Sequence, residues 1–201
     1  MFTHRFNLNW NNNTPNKQFF GLHKLIQFTF HNYLTENKEY KMVEIGAYMG
    51  ESTMMFASSN LFKEIYTIEP FKNVGGKIEE FNGENDYNWD TIYNEFLINT
   101  RFFNNITLHK DFSYNVADKF EDNSMDFIYI DGDHSYDAVK QDLEMYLPKL
   151  KDNGVIGGHD YLEKNKYYKQ NTIRAVNEVV GKPDKVFVDS SWIKQLNHFY
   201  G

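Results

Sequence analysis

The chain contains no cysteine. That excludes disulfides, thiolate metal sites and a cysteine nucleophile. It has no long basic run, and its formal net charge is −7, so a nucleic-acid backbone is not an expected partner. The lysines and tyrosines from Lys164 to Lys169 read as a solvated face. No apolar stretch is long enough to cross a bilayer, and no signal peptide opens the sequence. The expectation is a soluble, cytoplasmic protein with no membrane partner. Internal repeats and a second domain are also lacking.

What is present suffices to fold. Hydrophobic residues make up 41% of 201 residues and aromatics 17%, which suits one domain over residues 1–201. The mean hydropathy of −0.66 reflects surface Asn, Lys and Asp rather than disorder.

Residues 1–16 are polar and Asn-rich and read as a loose arm. Phe20, Leu22, Leu25, Ile26, Phe30 and Leu34 recur at roughly helical spacing, which predicts an N-terminal helix over 17–36. From residue 42 onward, apolar runs alternate with helical patterns. Strands are expected at Met42–Ile45, Ile65–Ile68, Ile106–His109, Phe127–Ile130 and Val155–Ile156, then Val186–Val188 and Trp192–Leu196. Helices are expected from Ser52 or Thr53, at Trp89–Phe103, at Tyr136–Leu147 up to Pro148, and at Thr172–Val180 before a capping Gly181. Asn153-Gly154 reads as a turn, and Phe71–Asp90 as a long connection with aromatics that could form a lid. The alternation predicts an α/β fold: a Rossmann-like, mostly parallel sheet of about seven strands, with helices on both faces and an antiparallel C-terminal strand.

Five segments carry chemistry. In "VEIGAYMGEST" an apolar strand ends at an acid, Glu44, and runs into Gly46-x-x-x-Gly50 and a helix start at Ser52 and Thr53. Glycine permits a tight turn, and free helical N–H groups face it, as at nucleotide-cofactor sites. Tyr48 stands where a dinucleotide fingerprint would want glycine, so a pyrophosphate cradle and an NAD oxidoreductase are disfavoured. Glu69 ends the next strand about 20 residues on, an offset suited to gripping ribose hydroxyls. In "HKDFS", Asp111 either accepts from an exocyclic amine such as adenine's, or Asp111 or Ser113 caps a helix.

The fourth segment, "FIYIDGDHSYDAVKQDL", crowds Asp131, Asp133, His134 and Asp137 at a strand mouth. The fifth, "GVIGGHDY", ends a strand at His159-Asp160. Adjacent parallel strands would bring Asp131 to His159 and Asp160. The acids then face a cofactor's ammonium group, a divalent metal, or both, or else form a hydrogen-bonded polar cluster. His134 is the best general-base candidate, because imidazole titrates near neutral pH. Its plainer role is a helix-start residue.

Together and in this order, these segments over Val43–Leu196 resemble class I S-adenosylmethionine-dependent methyltransferases. The likeness is to small bacterial and phage enzymes with "IDGDHSY" and "GGHDY" strand ends. More distantly, the chain is similar to catechol-type and macrocin-type O-methyltransferases that need a divalent metal. The resemblance implies that Glu44, Gly46, Ala47 and Gly50, with Ser52 and Thr53, shape the pocket for the cofactor's methionine part. It implies that Glu69 holds the ribose, that Asp111, Phe112 and Ser113 lie by the adenine, and that Asp131 and Asp133 meet the ammonium or the metal. Asp131, His159 and Asp160 stand at the metal positions, but His-Asp replaces the usual Asp-Asn. Imidazole tilts preference from magnesium toward manganese, iron or zinc. The implied activity is methyl transfer, with His134, Asp131 and His159 as catalytic candidates and a small-molecule or sugar hydroxyl as acceptor. Alternatives are a non-heme iron hydroxylase-like enzyme and a non-catalytic cofactor-binding protein of the same fold. The polar arm and the Phe199-Tyr200 end are candidates for a homo-oligomer interface.

Overall fold

Along Phe127–Ile130 successive side chains fall on opposite faces: Phe127 and Tyr129 enter one buried cluster, Ile128 and Ile130 another. That period-2 pattern is what a strand buried on both faces requires. The molecule, a computed structural model, is described over residues 17–35, 39–72, 88–161 and 171–196. The expected arm over 1–16, the bulk of the Phe71–Asp90 connection, the Lys164–Lys169 cluster and the Phe199-Tyr200 end lie outside the described residues.

In chain order the elements are α1 (Lys17–Asn32), β1 (Tyr40–Ile45), α2 (Glu51–Ser58), β2 (Phe62–Ile68), α3 (Trp89–Thr100) and β3 (Ile106–His109). Then come α4 (Ser113–Val116), β4 (Met125–Ile130), α5 (Tyr136–Tyr146), β5 (Leu150–Gly158), α6 (Asn171–Val179), β6 (Lys185–Val186) and β7 (Trp192–Gln195). One seven-stranded sheet has the order β3-β2-β1-β4-β5-β7-β6. The pairs among β1 to β5 are parallel, while β7 runs antiparallel to both β5 and β6. This is the mostly parallel, Rossmann-like sheet with a reversed C-terminal strand that the alternation predicts.

Helices α1 and α2 cover one face, through Leu22, Leu25, Ile26 and Phe56 against Met42, Ile65, Phe127 and Tyr129. Helices α5 and α6 cover the other, through Val139, Leu143, Ala175 and Val176 against Val43, Ile45, Ile128 and Ile156. Each of the larger apolar side chains among them contributes about 1.5–3 kcal/mol on burial. Among the described residues, no helix is long and apolar enough to cross a membrane.

Several boundaries differ from expectation: β1, β2 and β5 begin earlier, β6 is Lys185–Val186 rather than Val186–Val188, and three differences have a local cause. Helix α1 stops at Asn32, because the amides of Tyr33 and Leu34 both donate to the Thr29 carbonyl (3.0 and 2.9 Å) and tighten the end. Helix α3 stops at Thr100, since Asn105 must dock on β2, where its carbonyl accepts from the Ile65 amide (2.8 Å). Asn153-Gly154 is no free turn: Asn153 takes a left-handed φ of 60° inside β5, where the pairing with β4 shifts register.

The topology fixes where the chemistry gathers. The chain leaves β1 to build β2 and β3 on one side, then returns to β4 on the other, so the order reverses between β1 and β4. Ligands of open α/β sheets sit at the carboxyl ends of strands at such a switch point. The register pairs Ile68 and Ile130 with Ile45, and Gly158 with Ile130, so the residues that follow form one row: Glu69, Gly46, Asp131, His159.

Candidate active site at the carboxyl ends of the strands

The turn after β1 admits only glycine at its start. A Cβ on Gly46 would lie 2.1 Å from the Asp131 carbonyl oxygen, and φ there is 88°. Tyr48 (φ 48°) and Gly50 (φ 79°) are also left-handed, and the Gly50 amide closes on the Ala47 carbonyl at 2.7 Å. A Cβ on Gly50 would press the Phe96 ring at 2.9 Å.

Glu44 braces this turn from behind. Its fully buried carboxylate accepts from Ser52 Oγ and Thr53 Oγ1 at 2.5 Å each and from Thr67 Oγ1 at 2.9 Å. Burial pushes the carboxyl up to about 7, against the pull of those three hydroxyls. The Ser52 and Thr53 side chains are thereby committed to Glu44. Glu69 ties β2 to the same turn: its two oxygens accept from the Tyr48 amide at 2.9 Å and the Phe71 amide at 3.2 Å. Burial raises its carboxyl, with the Tyr48, Phe71 and Ala47 amides opposing.

Beyond β3, Asp111 Oδ1 accepts from the Phe112 amide (2.8 Å) and Asn115 Nδ2 (2.9 Å), which lowers its carboxyl. Neither Asp111 nor Ser113 caps α4; that position is Phe112, with no side-chain bond. The Phe112 ring lies under the Lys72 ammonium at 4.7 Å and stacks on Tyr114. Ser113 Oγ donates to Asp142 Oδ1 at 2.6 Å.

At the mouth of β4 and β5 the opposite charges meet. His134 Nε2 lies 3.0 Å from Asp160 Oδ2 and 3.6 Å from Asp131 Oδ1. His159 Nδ1 lies 3.3 and 3.8 Å from the same two oxygens. Burial alone would lower both imidazoles, but the carboxylates outweigh it: His134 rises well above its ordinary range and His159 to about 9. Burial would raise Asp160, yet the hydrogen bonds from the two imidazoles hold it well below the usual carboxylate range. Asp160 itself is left-handed, with φ 58°. Asp133 stands apart, accepting the Ser135 amide at 2.8 Å where α5 begins. Asp131, His134 and Asp160 can each offer one ligand atom, all within 4.8 Å of one another.

The structure thus brings Asp131, His134, His159 and Asp160 together, and separately joins Glu44, Glu69 and the glycine turn. Sequence reasoning missed Asp142, Thr172 and Trp192. Asp142 had a signal: with Val139, Leu143 and Tyr146 it occupies the buried face of α5, an acid at core spacing. Thr172 and Trp192 line a small cavity with Asp131, His134 and His159.

Residues 43–161, more than half of the chain, match a family model described as a methyltransferase domain. An uncharacterized protein of Sinorhizobium fredii, y4gI, is 32% identical over 124 residues, which is 60% of this chain and 13% of that protein's length. The O-methyltransferase TomG from Streptomyces achromogenes, solved with S-adenosylmethionine and involved in tomaymycin synthesis, superposes with a TM-score of 0.57. It is 12% identical, over 88% of this chain and 78% of that one. CalS11, a TDP-rhamnose 3'-O-methyltransferase of calicheamicin biosynthesis, gives 0.56 at 14% identity, over 93% and 85%. At those identities the likeness establishes the fold, and the family match the kinship. The chain belongs to the family that this methyltransferase-domain model describes.

Proposed function

We propose that this enzyme methylates a hydroxyl oxygen of a small molecule, a sugar hydroxyl being the first choice, and that Asp131, His134, His159 and Asp160 form the acceptor end of the site. The observation that carries the reading is the sharing of Asp160 Oδ2 and Asp131 Oδ1 by both imidazoles, beside the glycine turn.

The residues fit the cofactor. Gly46 and Gly50 offer bare backbone where a Cβ would collide, with the small Ala47 in the turn between them. Glu69 stands at the ribose offset, Asp111 and Phe112 form the adenine side, and Asp131 with Asp133 answers an ammonium group. Glu44, Ser52 and Thr53 act from behind the turn. Bound there, S-adenosylmethionine would supply an electrophilic methyl carbon to an acceptor oxygen in line with its carbon–sulfur bond, with the thioether S-adenosylhomocysteine as the leaving group. The chain's part is to align that oxygen and take its proton.

The acceptor end also fits a divalent ion. Two carboxylates and two imidazoles converge at separations of 3.0 to 3.8 Å, and His134 joins Asp131 and Asp160 in the tightest set, with His159 beside it. Bound there, manganese, iron, zinc or magnesium would polarise the acceptor oxygen and lower its pKa. The imidazoles must be neutral to act as ligands, so loading releases protons. In the site without an ion, the same neutral state is the one in which His134 would accept the acceptor's proton; an imidazole bound to metal, or protonated, has no lone pair left to offer.

Calorimetry with S-adenosylmethionine and S-adenosylhomocysteine, with and without manganese, tests the reading. Micromolar binding that Glu69→Ala weakens at least tenfold, and a manganese-dependent heat lost in Asp160→Ala, are expected. No cofactor binding in any buffer would sink it. Oxygen uptake by the iron-loaded protein without S-adenosylmethionine would favour a hydroxylase instead.

A further inference from the structure

Helix α4 opens on Ser113, and both polar ends of that residue are held by α5. Its hydroxyl donates to Asp142 Oδ1 at 2.6 Å, and its carbonyl accepts from Tyr146 Oη at 2.8 Å. Asp142 and Tyr146 lie four residues apart on α5, so they sit one above the other on one face. Both are buried, Asp142 at 5% exposure and Tyr146 at 0%. The other Asp142 oxygen turns toward the loop after β4: a Cβ on Gly132 would lie 3.8 Å from Asp142 Oδ2.

A carboxylate at this depth is costly. Its neighbours on α5, Val139, Leu143 and Tyr146, belong to the core, and packing alone would be served by an apolar side chain of similar size. Burial raises the Asp142 carboxyl to about 6, against the bond from Ser113, which expresses the same cost. What the carboxylate gains is a fixed Ser113. That matters because the residues around Ser113 are themselves knotted. Asp111 Oδ1 gathers the Phe112 amide and Asn115 Nδ2, and the Asn115 amide returns to the Phe112 carbonyl at 3.0 Å. Asp111 to Asn115 therefore moves as one piece, and Ser113 is where that piece is fastened to α5.

We propose that Asp142 is a positioning residue which, through Ser113 and with Tyr146, sets the adenine-side wall formed by Asp111 and Phe112. The proposal rests on the cofactor reading given above. Asp142 reaches the cofactor through Ser113. The Ser113 hydroxyl, committed to Asp142, serves the wall's placement.

The test is S-adenosylhomocysteine affinity by calorimetry for wild type, Asp142→Ala, Ser113→Ala, the double variant and Asp142→Asn. The lost bond is worth roughly tenfold in Kd. Asp142→Ala and Ser113→Ala are each expected to weaken binding by about that factor, and the double variant by no more than either alone. Asp142→Asn keeps an accepting oxygen and is expected to restore affinity to within about threefold of wild type. A merely structural role would lower the melting temperature of the cofactor-free protein and leave Kd in the folded variants unchanged. That result, or independent additive losses, would overturn the proposal. Should Asp142→Ala fail to fold, Ser113→Ala and Asp142→Asn decide alone: unchanged Kd in the first, or a tenfold loss in the second, refutes it. Failure of the wild type itself to bind would instead remove the cofactor reading and this proposal with it.

Discussion

The two halves of the site are built on opposite terms. At the glycine turn, Glu44 and Glu69 are buried carboxylates whose oxygens all accept hydrogen bonds from the chain's own hydroxyls and amides. At the mouth of β4 and β5, the carboxylates face imidazoles, and His159 Nε2, Thr172 Oγ1 and Trp192 Nε1 are buried atoms without a hydrogen-bond partner among the described residues. In the first half both carboxylates are satisfied from within the chain, and hydrogen bonds fix its shape. The second is held by charge, so protons and ions can reset it. One half with a fixed shape and one that titrates suit the proposed methyl transfer, in which the donor is constant and the acceptor must lose a proton.

The largest effect should come from breaking the fixed half. Gly46→Ala puts a methyl group 2.1 Å from the Asp131 carbonyl, and the two strand ends cannot both hold position. Denaturant unfolding is expected to register a loss of about 3 kcal/mol or more, with cofactor binding abolished. A loss below about 1 kcal/mol would mean the turn yields, and the contrast would fail.

The charged half should reveal itself through pH. His159 has a folded pKa raised to about 9, so the stability it lends is full below about pH 6.5 and disappears as pH climbs through 9. The expected fall is on the order of 3 kcal/mol in metal-free protein. Asp160 works at the other end: its depressed carboxyl lends stability above the ordinary aspartate range that is lost as acid protonates it. Melting temperatures across pH 3 to 10 measure both limbs, and His159→Gln should reduce the alkaline limb, leaving the share of His134, and weaken the acid limb through the lost bond to Asp160. An unchanged alkaline limb would show that the imidazole is not held by the carboxylates.

Glu44 sharpens the contrast from the fixed side. Its folded pKa is raised to about 7, so the folded state keeps its proton longer and stability falls as pH rises from about 4.5 to 7. Glu44→Gln should erase that slope, read by urea midpoints, while moving stability at pH 7 by only about 1 kcal/mol. The smallest expected effect is at Lys72. Removing its ammonium from the Phe112 face should weaken cofactor binding by a factor of about two to five. No change would place Phe112 away from the adenine.

Much of this was legible in the sequence, because strands buried on both faces read as bare apolar runs and their ends as sudden polarity. Phe127–Ile130 followed by Asp131, and Val155–Ile156 leading to His159, announce both the sheet and the row of acids. Which imidazole would sit closest to the carboxylates was not legible. His134 lies three residues past Asp131 in a loop, and its approach to Asp160 depends on the left-handed backbone of Asp160. The destination of the Ser113 hydroxyl was hidden too, since its partner is 29 positions away. Asn153-Gly154 misled for a local reason: a dipeptide suited to turns also suits an irregular strand, and pairing with β4 decided between them.

The register of β4 carries a consequence for how this site could change over time. Side chains alternate, so a slip by one residue against β1 would send Phe127 and Tyr129 to the face now held by Ile128 and Ile130, and would carry Asp131 out of the row. No such slip can leave the interior intact. Mutations in the loops can therefore change what surrounds Asp131, while the address of the acid itself is inherited with the core, kept in place by residues that have no chemistry of their own.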